Sequence, residues 1–175
     1  TWTGDNGLAF SSNFTTQSGN SSGLLTNEGP TSWATQVGYT QPQYSVSAIV
    51  NMKYNGWTDS YFSTAKGYSR SSNSATANST NIGLRGWWRP ESTGTATPSI
   101  SAGYDTSETD NTGDSNTTAY FVGLNWQDIF NADDRIGIAI GQPQKLENDT
   151  VDPFLYEIYY SYRVNDSTTI TPAFF

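Results

Sequence analysis

Tyr44-Ser45-Val46-Ser47-Ala48-Ile49-Val50-Asn51-Met52-Lys53-Tyr54 reads as one long β-strand with two unlike faces. Tyr44, Val46, Ala48, Val50, Met52 and Tyr54 share one phase. Ser45, Ser47, Asn51 and Lys53 share the other, with Ile49 as its apolar intruder. Side chains alternate across a strand, so this pattern sets one face in an apolar medium and the other in water. Soluble strands usually run about 5–6 residues, whereas a tilted strand needs about 9–11 to cross a bilayer. The length of this stretch favours the second case.

Further stretches alternate in the same way: Gly7–Phe14, Ser32–Thr40, Thr80–Arg89, Thr97–Asp105, Thr117–Trp126, Arg135–Gln142, Phe154–Val164 and Thr168–Phe175. The connections alternate in length. Thr15–Thr31, Asn55–Ser79, Thr106–Asn116 and Pro143–Pro153 are long. Gln41–Gln43, Pro90–Ala96 and Asn165–Ser167 are short, and Gln127–Asp134 is intermediate. Outer-membrane barrels are built with tight turns at the periplasmic end and long loops outside. The expected fold is therefore all-β, an antiparallel transmembrane β-barrel, with about nine strands in this chain. The first and last stretches both run outward. At least one strand is expected beyond Phe175, and the abrupt opening at Thr1-Trp2-Thr3-Gly4 predicts a piece of something longer.

Composition agrees. Only 34% of the 175 residues are hydrophobic, yet there are 11 Tyr, 8 Phe and 6 Trp. That profile suits a thin apolar surface with aromatic girdles better than a thick aliphatic core. The chain has no Cys and no His, which removes disulfides, thiolate metal sites and Ser-His triads. A net charge of −8 and a pI near 4.2 argue against a general basic surface for nucleic acid. No run of 18 apolar residues is present, so no transmembrane helix is expected; barrel strands escape such scans because half their residues are polar.

The second half resembles the porins of the cyanobacterial outer membrane, in the carbohydrate-selective (OprB-like) porin family. The strings that carry the resemblance are Asp134-Arg135-Ile136-Gly137-Ile138-Ala139-Ile140-Gly141-Gln142-Pro143 and Pro153-Phe154-Leu155-Tyr156-Glu157-Ile158-Tyr159-Tyr160. Arg163-Val164-Asn165-Asp166, Ile170-Thr171-Pro172 and the turn Trp126-Gln127-Asp128-Ile129-Phe130 are similar too. The resemblance covers Trp126–Phe175; the first half has the texture without a diagnostic string. It implies a barrel of about sixteen strands, of which residues 1–175 would be the C-terminal part. It also implies passive diffusion of ions and small hydrophilic solutes through a homotrimer in outer-membrane lipid. A preceding block of strands and an N-terminal surface-layer-homology domain that binds cell-wall polymer would lie outside this chain.

Every Lys or Arg within a candidate strand lies on the polar phase: Lys53, Arg85, Arg89, Arg135 and Arg163. On the lipid face each would cost about 2–4 kcal/mol near mid-membrane. The expected pore wall carries Lys53, Asn51, Asn81, Arg85, Arg89 and Arg163, with Glu157 as a counter-charge, and basic rings favour anions. The plainer alternative makes these ordinary lumen or surface charges. Tyr44, Tyr54, Trp88, Tyr104, Tyr120, Trp126, Tyr156 and Tyr162 are expected in girdles. No catalytic residue and no cofactor is expected. The acidic stretch Asp105–Asp114 offers oxygen ligands, Asp110 and Asp114 foremost, but lacks the EF-hand spacing.

Two other classes compete. A secreted β-sandwich could bind glycans through exposed aromatics; it would bury Val46, Val50, Ile138 and Ile158 against a second sheet. A glycosidase would need two carboxylates converging in one cleft, and Glu157 is the only acid placed well inside a candidate strand.

Overall fold

A computed structural model describes residues 1–26, 28–57, 78–110 and 116–175. The strands are β1 (Trp2–Thr3), β2 (Leu8–Thr16), β3 (Thr31–Gln41), β4 (Tyr44–Tyr54), β5 (Ser79–Trp88) and β6 (Ser99–Thr109). They continue with β7 (Thr117–Gln127), β8 (Arg135–Leu146), β9 (Leu155–Asn165), β10 (Thr168–Ile170) and β11 (Ala173–Phe174). One helical turn, α1 (Gly19–Ser22), follows β2. Each strand pairs antiparallel with the next in the chain, giving a single all-β meander ordered β1 to β10, with β11 returning to β9. The β1–β2 edge and the β9–β11 edge are not paired with each other among the described residues.

The stretch quoted first is β4 without a change at either end. A two-residue turn, Pro42-Gln43, joins it to β3, and the ladder runs unbroken from Gln41 opposite Tyr44 to Thr31 opposite Tyr54. Elsewhere the sequence misplaces ends. β6 continues through Asp105 to Thr109, and β8 passes through Pro143 to Leu146. A register shift between Thr118 and Tyr120 of β7 accommodates that proline, which has no N–H to give a regular ladder. The expected stretch Thr168–Phe175 is two short strands broken at Thr171-Pro172, where the Pro172 carbonyl accepts a bond from the Tyr160 N–H at 3.1 Å. β1 and α1 are too short for periodicity to detect. With β6 and β8 lengthened, the loop alternation is weaker than expected. The strand ends at Thr16 and Thr31, Tyr54 and Ser79, Thr109 and Thr117, and Leu146 and Leu155 lie at one end of the sheet; those at Gln41 and Tyr44, Trp88 and Ser99, Gln127 and Arg135, and Asn165 and Thr168 lie at the other, and the connection 89–98 is not short.

The apolar phase forms one continuous face. Direct partners run Tyr44, Trp88, Ile100, Leu124, Ile138, Ile158 and Phe174, from β4 across to β11. Nothing among the described residues packs over this face: Val46 is 55% exposed, Val50 36%, Ile138 38% and Ile158 47%. A second sheet would have brought these residues close to zero. The remaining exposed area is what side chains keep when neighbours flank them and nothing lies above.

The apolar band is inclined to the pairing rows. Its outward residues span Tyr44–Tyr54 in β4, Ile82–Trp88 in β5, Ile100–Tyr104 in β6, Tyr120–Trp126 in β7, Ile136–Ile140 in β8 and Tyr156–Val164 in β9. At every step from β4 to β9 the middle of the band lies one or two residues nearer the 42–43 end than direct pairing would place it. The total slide is about seven residues over five steps; β2 to β4 add none.

Candidate functional site on the polar face

The opposite face carries the residues expected to line a pore. Its middle is built on the β5–β6 register, which sets Arg85 opposite Gly103 and Gly83 opposite Asp105. Gly103 leaves the guanidinium room to swing diagonally onto Asp105. The pair is bidentate, at 2.8 Å (Nη1 to Oδ1) and 2.7 Å (Nη2 to Oδ2). Arg85 also donates to the carbonyls of Leu84 and Tyr104, and its guanidinium lies 5.7 Å from the centre of the Phe121 ring. The pair is partly exposed, so it adds little stability, on the order of 0–1 kcal/mol. Its larger effect is to cancel a positive charge at mid-sheet. The counter-charge is therefore Asp105, which sequence reading placed at a strand end. Glu157, expected in that role, lies opposite Ala139, is exposed, and has no cation within bonding distance among the described residues. With Arg85 neutralised and Glu157 unmatched, the middle of this face is neutral to slightly acidic, not basic.

Towards the 55–78 end the face becomes a buried polar ladder instead of an open wall. Asn51 and Asn81 are direct partners. Asn51 donates to the Ser32 hydroxyl at 2.9 Å, and Asn81 donates to the Asn51 carbonyl at 3.2 Å. Gln144 donates to the Thr117 hydroxyl at 2.7 Å. Lys53, opposite Ser32 and Ser79, is fully buried, as is Asn81. The three residues expected to be water-lined there, Asn51, Lys53 and Asn81, are closed off from bulk solvent. Asn81 Oδ1 is buried and has no hydrogen-bond partner among the described residues.

At the 42–43 end, Arg89 lies one residue beyond β5. Its Nε donates to the Pro42 carbonyl at 2.8 Å and its guanidinium sits 5.7 Å from the Trp87 ring centre. It borders a hollow of about 750 Å³ shared with Gln43, Glu91, Thr97, Asn125 and Gln127. Arg163 is tied to Asp133 at 2.7 Å and Asp166 at 2.8 Å. The neighbouring turn closes on Asp134, whose buried carboxylate accepts N–H bonds from Ile129, Phe130 and Asn131 at 2.8–3.0 Å and the Tyr160 hydroxyl at 3.1 Å. Burial works to raise its pKa, but the backbone donors of Asn131, Phe130 and Ile129 and the Tyr160 hydroxyl outweigh that and hold it below the usual carboxylate range. This knot was missed: nothing in sequence spacing predicts four donors on one oxygen pair.

Asp110, a candidate cation ligand, spends its carboxylate on the Asn78 N–H and side-chain amide, at 2.6 and 2.7 Å. Asp114 lies outside the described residues, and no cluster of three possible metal ligands occurs among those described.

The chain matches no family model, and no curated protein or solved structure matches it.

Proposed function

We propose that this chain is a membrane-spanning part of an outer-membrane porin barrel, passing small hydrophilic solutes and inorganic ions down their gradients. The observation that carries this reading is the inclined, uncovered apolar band. A residue advances about 3.3 Å along a strand and neighbouring strands lie about 4.8 Å apart, so a slide of roughly 1.0–1.4 residues per step inclines the strands by about 35–45° to the band. That is the tilt at which barrel strands cross a bilayer, and strands of 9–12 residues at that tilt match an apolar zone about 25 Å tall. A water-facing surface has no reason to carry a band of this height, nor to hold it level while the pairing rows climb.

The reading also agrees with the resemblance to carbohydrate-selective (OprB-like) porins. Both sheet edges then need partner strands, because unpaired backbone groups do not persist in lipid. A homotrimer and the cell-wall-binding domain belong to the same proposal. The glycan-binding sandwich is less favoured, since the second sheet it requires is missing over the apolar face among the described residues.

Reconstitution of the whole barrel, with the partner strands that close both edges, into planar bilayers tests the proposal: stepwise, ohmic conductance is expected. The neutral wall predicts weak charge selectivity. Arg85→Ser leaves Asp105 uncompensated, so in a tenfold salt gradient the reversal potential should move toward cation preference, by roughly 5–15 mV of the ~59 mV that perfect selectivity gives. Absence of channels from folded, inserted protein would end the reading.

A further inference from the structure

We propose that Gly103 and Gly137 set the free width of the channel, by letting Phe121 and Tyr159 lie down along its wall; this inference rests on the channel reading above. Two rows on the polar face share one design. In the first, Arg85 of β5, Gly103 of β6 and Phe121 of β7 are direct partners. In the second, Asn125 of β7, Gly137 of β8 and Tyr159 of β9 are direct partners. Each row has glycine in the middle and an aromatic ring on one flank.

The ring in each row crosses onto its neighbour's glycine. A Cβ added at Gly103 would collide with Phe121 Cε1 and stand 2.9 Å from Arg85 Cδ; one added at Gly137 would collide with the Tyr159 ring and stand 2.7 Å from its hydroxyl oxygen. Real Cβ atoms essentially never approach within 3.0 Å. The rings therefore occupy the space that a side chain would take on the adjoining strand. The far flank then fastens each ring. Arg85, anchored on Asp105, lies over Phe121, and Asn125 donates to the Tyr159 hydroxyl at 2.9 Å. Both assemblies span three strands.

A flat ring takes up about 3.5 Å of depth, one carbon contact layer, and a ring standing on edge about twice that. Phe121 and Tyr159 project from the polar phase, so lifting them places them in the lumen. Glycine is the one residue that permits the flat arrangement. Gly38, on the Arg85 row, is different: a Cβ there would meet Ser47 Cβ at 3.6 Å and the Val46 carbonyl at 3.8 Å, ordinary contacts with no ring to displace.

Single-channel conductance of the whole barrel, carrying each substitution, decides the matter. Gly103→Ala and Gly137→Ala should each lower it by roughly a fifth to a third, whereas Gly38→Ala should stay within roughly 5% of wild type. Adding Phe121→Ala to the first, or Tyr159→Ala to the second, should restore it. If Gly103→Ala and Gly137→Ala conduct like Gly38→Ala, the inference is overturned while the channel reading stands; if wild-type protein forms no channels, the channel reading itself fails. Should the alanine variants not insert, Asn125→Ala cuts the Tyr159 tie without crowding Gly137. It should raise open-channel noise at least twofold, and a trace as quiet as wild type would count against the proposal.

Discussion

At the scale of single residues, a polar side chain's role here follows from its cross-strand partner more than from its own type. Arg85 looks basic in sequence and is neutralised in place; Glu157 looks like its counter-charge and faces Ala139 instead. Asp134 is the sharpest case. Its carboxylate organises the 128–134 turn, and its pKa is held below the unfolded value. Such a group stabilises the fold fully above its unfolded pKa, and that contribution is lost as pH falls through the lower, folded pKa. The stability of wild type should thus fall with acid below about pH 4. Asp134→Asn, which cannot ionise and turns an N–H₂ toward some of these donors, should be less stable at neutral pH. Its urea midpoint should also lose the part of the acid dependence that belongs to this turn. Parallel pH profiles for the two proteins would refute the assignment. The candidate polar residues themselves were legible in sequence, because phase alone assigns them a face. Their ties were not, since Asp105 and Asp133 reach their arginines from other elements, 20 and 30 residues away along the chain.

At the scale of elements, period-2 alternation located every long strand, and β4 to the residue. The errors fall where local pattern gives way to geometry: the bulge that carries β8 past Pro143, and the break at Pro172. Alternation also makes a prediction about neighbours. Ile138 points to the apolar face and Ala139 to the polar one, opposite Glu157. Ile138→Arg should cost about 2–4 kcal/mol in a lipid bilayer, as a charge on a lipid-facing wall does. Ala139→Arg, one residue along, should cost much less, because it enters water within reach of Glu157. Unfolding titrations in the same vesicles would read both. Equal costs would mean that the two faces do not differ in medium.

At the scale of the whole molecule, a single sheet with an uncovered apolar face needs some apolar cover, and lipid or detergent supplies it without a second layer. Folding from urea should therefore require micelles or vesicles. If partner strands close the sheet as proposed, the folded whole barrel should run differently from the boiled one on a gel, since closed barrels resist detergent unfolding until heated. Cooperative folding in plain buffer, with the apolar face still exposed, would contradict the membrane assignment. Read alone, the sequence determined that these are long antiparallel strands with one apolar and one polar face. That much is local: it depends only on side chains alternating about a backbone. Tertiary structure decided the rest: the slide of the apolar band that gives the strand tilt, the cancellation of Arg85 by Asp105, the closing of the Asn51–Asn81 ladder from solvent, and the rings laid over Gly103 and Gly137. Each of these depends on register between strands, and register is fixed by pairing across the sheet, which no single strand's pattern contains.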